Sequence, residues 1–193
     1  MTTTTARAVL EAAVAELPAG LRDHVLRVVA EARRLARIHG VDEERAVLAA
    51  LGHDLARGKG PAELLELAKE AGIEPSFIER AEPILLHGGV SAWLMAERYG
   101  VADEEVLAAA RYHTTARAGM AAIERLLYVA DKIEPQKAQS DAALADAKRL
   151  ADASLTDAMR RLLDRQVARA LERGWPLHPD TVAARNELLP ARE

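Results

Sequence analysis

Apolar residues recur at spacings of three and four along almost the whole chain, and no segment alternates apolar with polar residues convincingly. A chain patterned in this way hides its apolar stripes by packing helix on helix. The breaks between periodic segments are short. Pro18 to Gly20 separates a first helix from a second over 22–38, which Gly40 stops before Asp42 caps the next. Gly58 to Pro61 ends the third, and Pro61 is placed to open a fourth. Gly72 to Pro75, Gly100, the stretch 114–119 and Pro135 divide the middle of the chain, and Asp103 can cap the helix that follows Gly100. Helices over 141–151 and 156–173 and a last short one after "GWPLHPD" complete the pattern. No linker or repeat divides it. The reading is an all-α single compact helical bundle of about nine to eleven helices. Residues 1–18 form an N-terminal extension with the first helix, its Thr run frayed, and 19–193 form the domain.

Half of the 193 residues are apolar but only 3 % are aromatic, so Ala, Leu, Val and Ile must build the core. There is no cysteine, which excludes disulfides and thiolate metal sites; a metal would need His, Asp or Glu. A formal charge of −4 argues against a broad nucleic-acid surface, though not against a local cluster that grips phosphates. No signal peptide and no run of membrane-spanning length is visible, so no membrane association and a cytoplasmic location are expected. A homodimer is an open expectation, as is a core position for Trp93 and Trp175.

Against this pattern, "ALGHDLARGKG" places His53 and Asp54 at the close of an apolar run. Buried polar groups are costly unless satisfied. His24 in "LRDHVLRVV" and Asp131 in "LLYVADKIEP" lie in similar surroundings on two other helices. Packing these helices together would converge four metal-competent side chains, and a bound cation would satisfy them all. Each has a plainer explanation. A lone His on an apolar face is more often a hydrogen-bonded core residue, and Asp131 could cap the next segment. His87 could bond backbone at a helix start, and His113-Thr114-Thr115 could form a helix-ending turn. His39, beside Gly40, reads as surface structure, and His178 as a helix entry.

The order H…HD…D resembles that of the HD-domain metal-dependent phosphohydrolases. "LLHGGVSAWL", "AARYHTTARAGM", "LLYVADKIEP" and "ERGWPLHPDTVAARNELL" are similar to successive segments of the YqeK-type branch, from about His24 to Leu189. That resemblance implies a hydrolase cleaving diadenosine tetraphosphate symmetrically to two ADP, with iron as the metal, another divalent transition metal also being compatible. It implies His24, His53, Asp54 and Asp131 as metal ligands. It implies His87, His113 and Thr114 facing the polyphosphate, Arg57 and Lys137 near it, and Gly174 to His178 at the nucleotide end. Asp54, His87 and His113 are then the candidate catalytic residues, with either histidine able to donate to phosphate or take the proton from water. They could ligate a second ion instead of touching phosphate. The chain departs from the branch at Arg57, commonly Lys, at Lys137, commonly Arg, at Ala116, commonly Gly, and at Leu21, commonly basic. Arg and Lys differ at a phosphate contact, which keeps other readings open: an HD phosphohydrolase of a nucleoside mono- or diphosphate, a nucleotide-binding regulator that retains the metal site, or a helical interaction protein with buried histidines.

Overall fold

Each break in the pattern carries a residue that stops or starts a helix. The structure, a computed structural model, describes residues 3–139 and 141–189. Among these it contains α1 (Thr3–Ala15), α2 (Ala19–His39), α3 (Glu43–Gly52), α4 (Pro61–Glu70), α5 (Phe77–Ala81) and α6 (His87–Glu97). The order continues with α7 (Glu104–Tyr112), α8 (Ala122–Ile133), α9 (Pro135–Gln139), α10 (Ala142–Ala151), α11 (Leu155–Arg173) and α12 (Pro179–Glu187). A 3₁₀ turn, Pro83–Leu86, leads into α6. Gly40 ends α2 in the left-handed region at φ 65°, and Asp42 accepts the Arg45 amide at 2.9 Å to cap α3. Asp103, Asp141 and Ser154 cap α7, α10 and α11 in the same way.

The helix count exceeds the nine to eleven expected because α5 and α9 are one-turn pieces, too short to show a period. Pro135 opens α9 instead of only closing the helix before it. The Thr run is also not wholly frayed, since α1 begins at Thr3; Met1 and Thr2 lie outside the described residues.

The core is aliphatic, as the composition requires. α1 contributes Ala6, Leu10 and Val14, α3 a run from Ala46 to Leu51, and α8 a run from Leu126 to Ala130. α2, α3, α7 and α8 pack on one another, with α6 against α7 and the hairpin of α10 and α11 leaning on α8. Two glycines permit the closest approaches. A Cβ on Gly88 would meet the Arg111 carbonyl oxygen at 2.5 Å, and one on Gly52 would collide with the Met95 side chain. The first lets the start of α6 touch the end of α7; the second lets α3 meet α6. Trp93 packs against the core, but Trp175 does not join it: it is 50 % exposed. It follows the Gly174 cap of α11, where the chain is already on the surface. His39 is half-buried and its Nε2 donates to the Ala151 carbonyl at 2.6 Å, so it ties α2 to α10. Among the described residues no helix is long and apolar enough to cross a membrane.

Candidate metal centre and nucleotide pocket

The polar residues that interrupt the apolar pattern sit at helix ends, and the packing aims those ends at one point. His24 lies in the second turn of α2. His53 caps α3, with Asp54 next in the turn. His87 opens α6, His113 caps α7, and Asp131 lies in the last turn of α8. All but His24 are buried. Asp54 stands between two sets of rings. Its Oδ2 is 3.5 Å from His53 Nε2 and 3.7 Å from His24 Nε2, and its Oδ1 is 3.2 Å from His87 Nε2 and 3.4 Å from His113 Nε2. Asp131 Oδ1 is 3.1 Å from His24 Nε2 and 4.0 Å from His53 Nε2.

The backbone decides which ring nitrogens face inward. His53, His87 and His113 each place Nδ1 2.5–2.7 Å from the carbonyl three residues back, of Ala50, Ile84 and Ala110. A carbonyl can only accept, so Nδ1 carries the proton and Nε2 presents a lone pair. Burial holds the His53 imidazole down to about 4 and pushes His87 below the usual range, which keeps both rings neutral near pH 7. Three lone pairs therefore converge on a carboxylate. His53 Nε2 and Asp54 Oδ1 have no hydrogen-bond partner. Orphaned buried acceptors in one cluster are the pattern a cation resolves. Two overlapping triads, His24-His53-Asp131 and His53-Asp54-His113, have donor atoms within 4.8 Å of one another. Nitrogen and carboxylate donors with no thiolate suit a divalent metal.

Side chains behind the cluster hold it in place. Glu134 Oε1 lies 3.5 Å from His24 Nδ1, while Arg27 donates to Glu134 Oε2 at 2.7 Å. A carboxylate behind a ligating histidine orients the ring and raises its basicity. Burial works against the charge of Asp131, but the ammonium groups of Lys132 and Lys137 outweigh it and hold the carboxyl well below its ordinary range. Lys137 donates to Asp131 Oδ1 at 2.7 Å; Lys132 donates to Oδ2 at 3.1 Å and to the His113 carbonyl at 2.6 Å. Thr114 Oγ1 is 3.2 Å from His87 Nε2 and 3.1 Å from His113 Nε2, close enough to donate to either.

Above the cluster opens a cavity of about 580 Å³. Asp54, His87, His113, Thr114 and Asp131 line its floor, and Arg57 and Lys137 its rim. Gly174 does not line it. Gly174 is the left-handed cap of α11 at φ 65°, and Trp175 to His178, which follow, form that wall. His178 is half-buried, lines the cavity and caps α12: its Nδ1 accepts the Asp180 amide, so Nε2 carries the proton, and that nitrogen is buried without a partner. Thr181 bonds the Thr115 carbonyl at 2.7 Å and so pins α12 to the loop that carries Thr114.

Sequence reasoning missed Lys132, Glu134 and Gln166, all of which support the cluster or the wall. Gln166 lines the cavity with its Oε1 held by the Tyr128 hydroxyl at 2.8 Å. The first two stood beside Asp131 in "ADKIEP", but nothing in the pattern distinguished them from solvated charges.

The HD domain family model matches residues 21–136, the span that holds all six cluster residues. The chain belongs to the HD domain family. A protein of Halalkalibacterium halodurans named "Bis(5'-nucleosyl)-tetraphosphatase, symmetrical" is 32 % identical over 86 % of this chain and 87 % of its own length. One of the same name from Bacillus subtilis is 32 % identical over 86 % and 88 %. Another, from Staphylococcus aureus, is 36 % identical over 62 % and 61 %. A crystal structure described as a predicted HD superfamily hydrolase involved in NAD metabolism, from Clostridium acetobutylicum, superposes with a TM-score of 0.88 at 31 % identity, covering 93 % of this chain and 94 % of that one. The all-α architecture is thus that of the HD domain.

Proposed function

We propose that this HD domain protein is a metal-dependent hydrolase that cleaves diadenosine tetraphosphate symmetrically, giving two ADP. What carries the reading is the cluster of metal-competent side chains, of which Asp54, His87, His113 and Asp131 line a cavity, in a chain whose relatives over most of its length are named for this reaction. His24, His53, Asp54 and Asp131 would hold the metal, with iron the ion we propose. When bound, the metal polarises a phosphoryl oxygen and lowers the pKa of a water. His87 and His113 stand on the opposite side of Asp54, where they either ligate a second ion or face the phosphates.

In the reaction, a water oxygen forms a bond to one inner phosphorus. The bond from that phosphorus to the central bridging oxygen breaks, and the oxygen departs with the second ADP. Asp54, His87 or His113 would take the water proton. Thr114 and Lys137 offer donors toward phosphate oxygens, and Arg57 supplies charge at the rim. His178, with Trp175 to Leu177, forms the wall against which the nucleotide would lie.

The test is turnover of diadenosine tetraphosphate with the metal content of the same preparation measured alongside. ADP as sole product supports the reading. ATP with AMP would mean asymmetric cleavage and defeat it, as would turnover of mono- or diphosphates in its place.

A further inference from the structure

Beside the cavity lies a second, wider cleft of about 810 Å³, and the two share a wall. Lys137, Arg165 and Arg169 line both. Arg165, Arg169 and Arg173 stand four residues apart on α11, so they lie along one face of that helix and run as a strip away from the metal cluster. The cleft carries five cationic side chains against two carboxylates, Asp141 and Glu172, in a chain whose formal charge is −4. Asp141 is taken by Arg165. Among the described residues no carboxylate pairs with Arg169 or Arg173. Both guanidinium groups instead lie over the half-exposed Trp175 ring, at 5.6 and 5.0 Å from its centroid. That ring lines the first cavity, at the edge the two spaces share, and the two arginines, with no carboxylate partner, offer charge to phosphate on the cleft side.

A cavity of about 580 Å³ is the size of a pocket for one small ligand. A dinucleoside tetraphosphate brings two nucleosides, joined by a chain that must cross the metal cluster at its centre. We propose that the cleft along Arg165, Arg169 and Arg173 is the subsite for the second nucleoside diphosphate half, the half that departs. The inference rests on the dinucleotide reading above and adds where the two halves lie: one in the cavity toward His178, the other over the shared wall and along α11. Arg169 and Arg173 are then specificity determinants for a substrate with two nucleosides.

The test uses metal-loaded protein and ADP as the probe. Calorimetric titration of the wild type is expected to show two ADP per chain, the weaker site strongly salt-dependent. Arg169→Glu with Arg173→Glu is expected to leave one, and to raise KM for diadenosine tetraphosphate at least about tenfold, consistent with losing two charge-assisted contacts. Both arginines are exposed, and circular dichroism checks that the variant keeps its helices. A single ADP site in the wild type, or an unchanged KM in a folded variant, overturns the proposal. Hydrolysis with one ADP site defeats the cleft and leaves the activity standing. Two ADP sites, reduced to one in the variant, without tetraphosphate hydrolysis defeat the activity and leave the cleft standing.

Discussion

His87 Nε2 and His113 Nε2 lie 3.1 Å apart, and neither has a proton to offer the other while each Nδ1 donates to a backbone carbonyl. The pair comes from different helices, and Asp54 Oδ1 completes a triangle with it. The Thr114 hydroxyl can donate to one of the two, and a cation is the group that satisfies the other together with the carboxylate. His113→Ala should therefore lower the metal bound per chain, measured by elemental analysis after dialysis. It should cut kcat/KM for the tetraphosphate by at least about a hundredfold, the scale of losing support at a metal site. Full metal content with full activity would remove His113 from the site.

The metal-free protein should lose stability in acid well before ordinary carboxylates titrate. Burial depresses the His53 imidazole to about 4, and His87 is lowered for the same reason. Between pH 6.5 and about 4 the unfolded chain binds protons that the folded protein refuses, so stability rises with pH across that window. The contribution of His53 is fully present above pH 6.5 and is on the order of 3 kcal/mol, lost as pH falls toward 4. Urea unfolding of chelator-treated protein at a series of pH values measures it. A flat profile from pH 7 to 4.5 would contradict neutral buried rings.

Much of this site was legible because its residues violate the pattern that builds the fold. His53 and Asp54 end an apolar run, and His24 and Asp131 sit beside core positions, so each stood out against its helix. The pairing of Lys132 and Lys137 with Asp131 was not legible, since charged residues near a helix end are common and contact across a turn leaves no period. Trp175 was misread because an indole alone says nothing of burial; its place after the αL cap of α11 puts it outside. The arginine strip was visible at four-residue spacing, yet in a sequence such spacing reads as a solvated face until a second helix is seen to form the other wall.

Gly88 carries no chemistry, yet the approach of α6 to α7 depends on it. A Cβ there would lie 2.5 Å from the Arg111 carbonyl oxygen, which is backbone and cannot swing aside. Gly88→Ala should push the start of α6 away from α7, widening the gap between His87 and His113. We expect a stability loss of about 1–3 kcal/mol, the usual range for overpacking, and a loss of activity larger than the fraction unfolded. Denaturant unfolding and turnover on one preparation separate the two effects.

Ala116 should respond in the opposite sense. It is buried and holds φ 60° in the loop that follows His113 and Thr114, a conformation in which an L side chain is strained. Left-handed backbone costs a non-glycine residue about 1–2 kcal/mol, more than the methyl group gains by burial at about 0.8 kcal/mol. Ala116→Gly is expected to leave stability unchanged or raise it by up to about 1 kcal/mol. The same change at Ala130, inside α8, should cost about 1 kcal/mol. Thermal unfolding of the two variants side by side checks the contrast, and equal losses would refute the strain.

Tyr128 acts on the cavity through Gln166. The phenol is fully buried, and burial pushes its pKa up, so it remains a hydrogen-bond donor at any working pH. It gives that hydrogen to Gln166 Oε1 and so fixes the amide of a residue that lines the cavity; with the oxygen taken, the amide hydrogens are what Gln166 has left to offer an anionic ligand. Tyr128→Phe keeps the ring and its contact with Lys132, whose Nζ lies 4.0 Å from the ring centroid. The stability loss should be about 1 kcal/mol, that of one hydrogen bond. The amide, free to rotate, would then present oxygen to the phosphates as often as nitrogen. KM for the tetraphosphate should rise by a few-fold to about tenfold, a loss of about 1 kcal/mol in binding, with bound metal unchanged. Gln166→Glu, which fixes an acceptor in the same place, should raise KM further. A variant with normal KM would show that the amide does not touch the ligand.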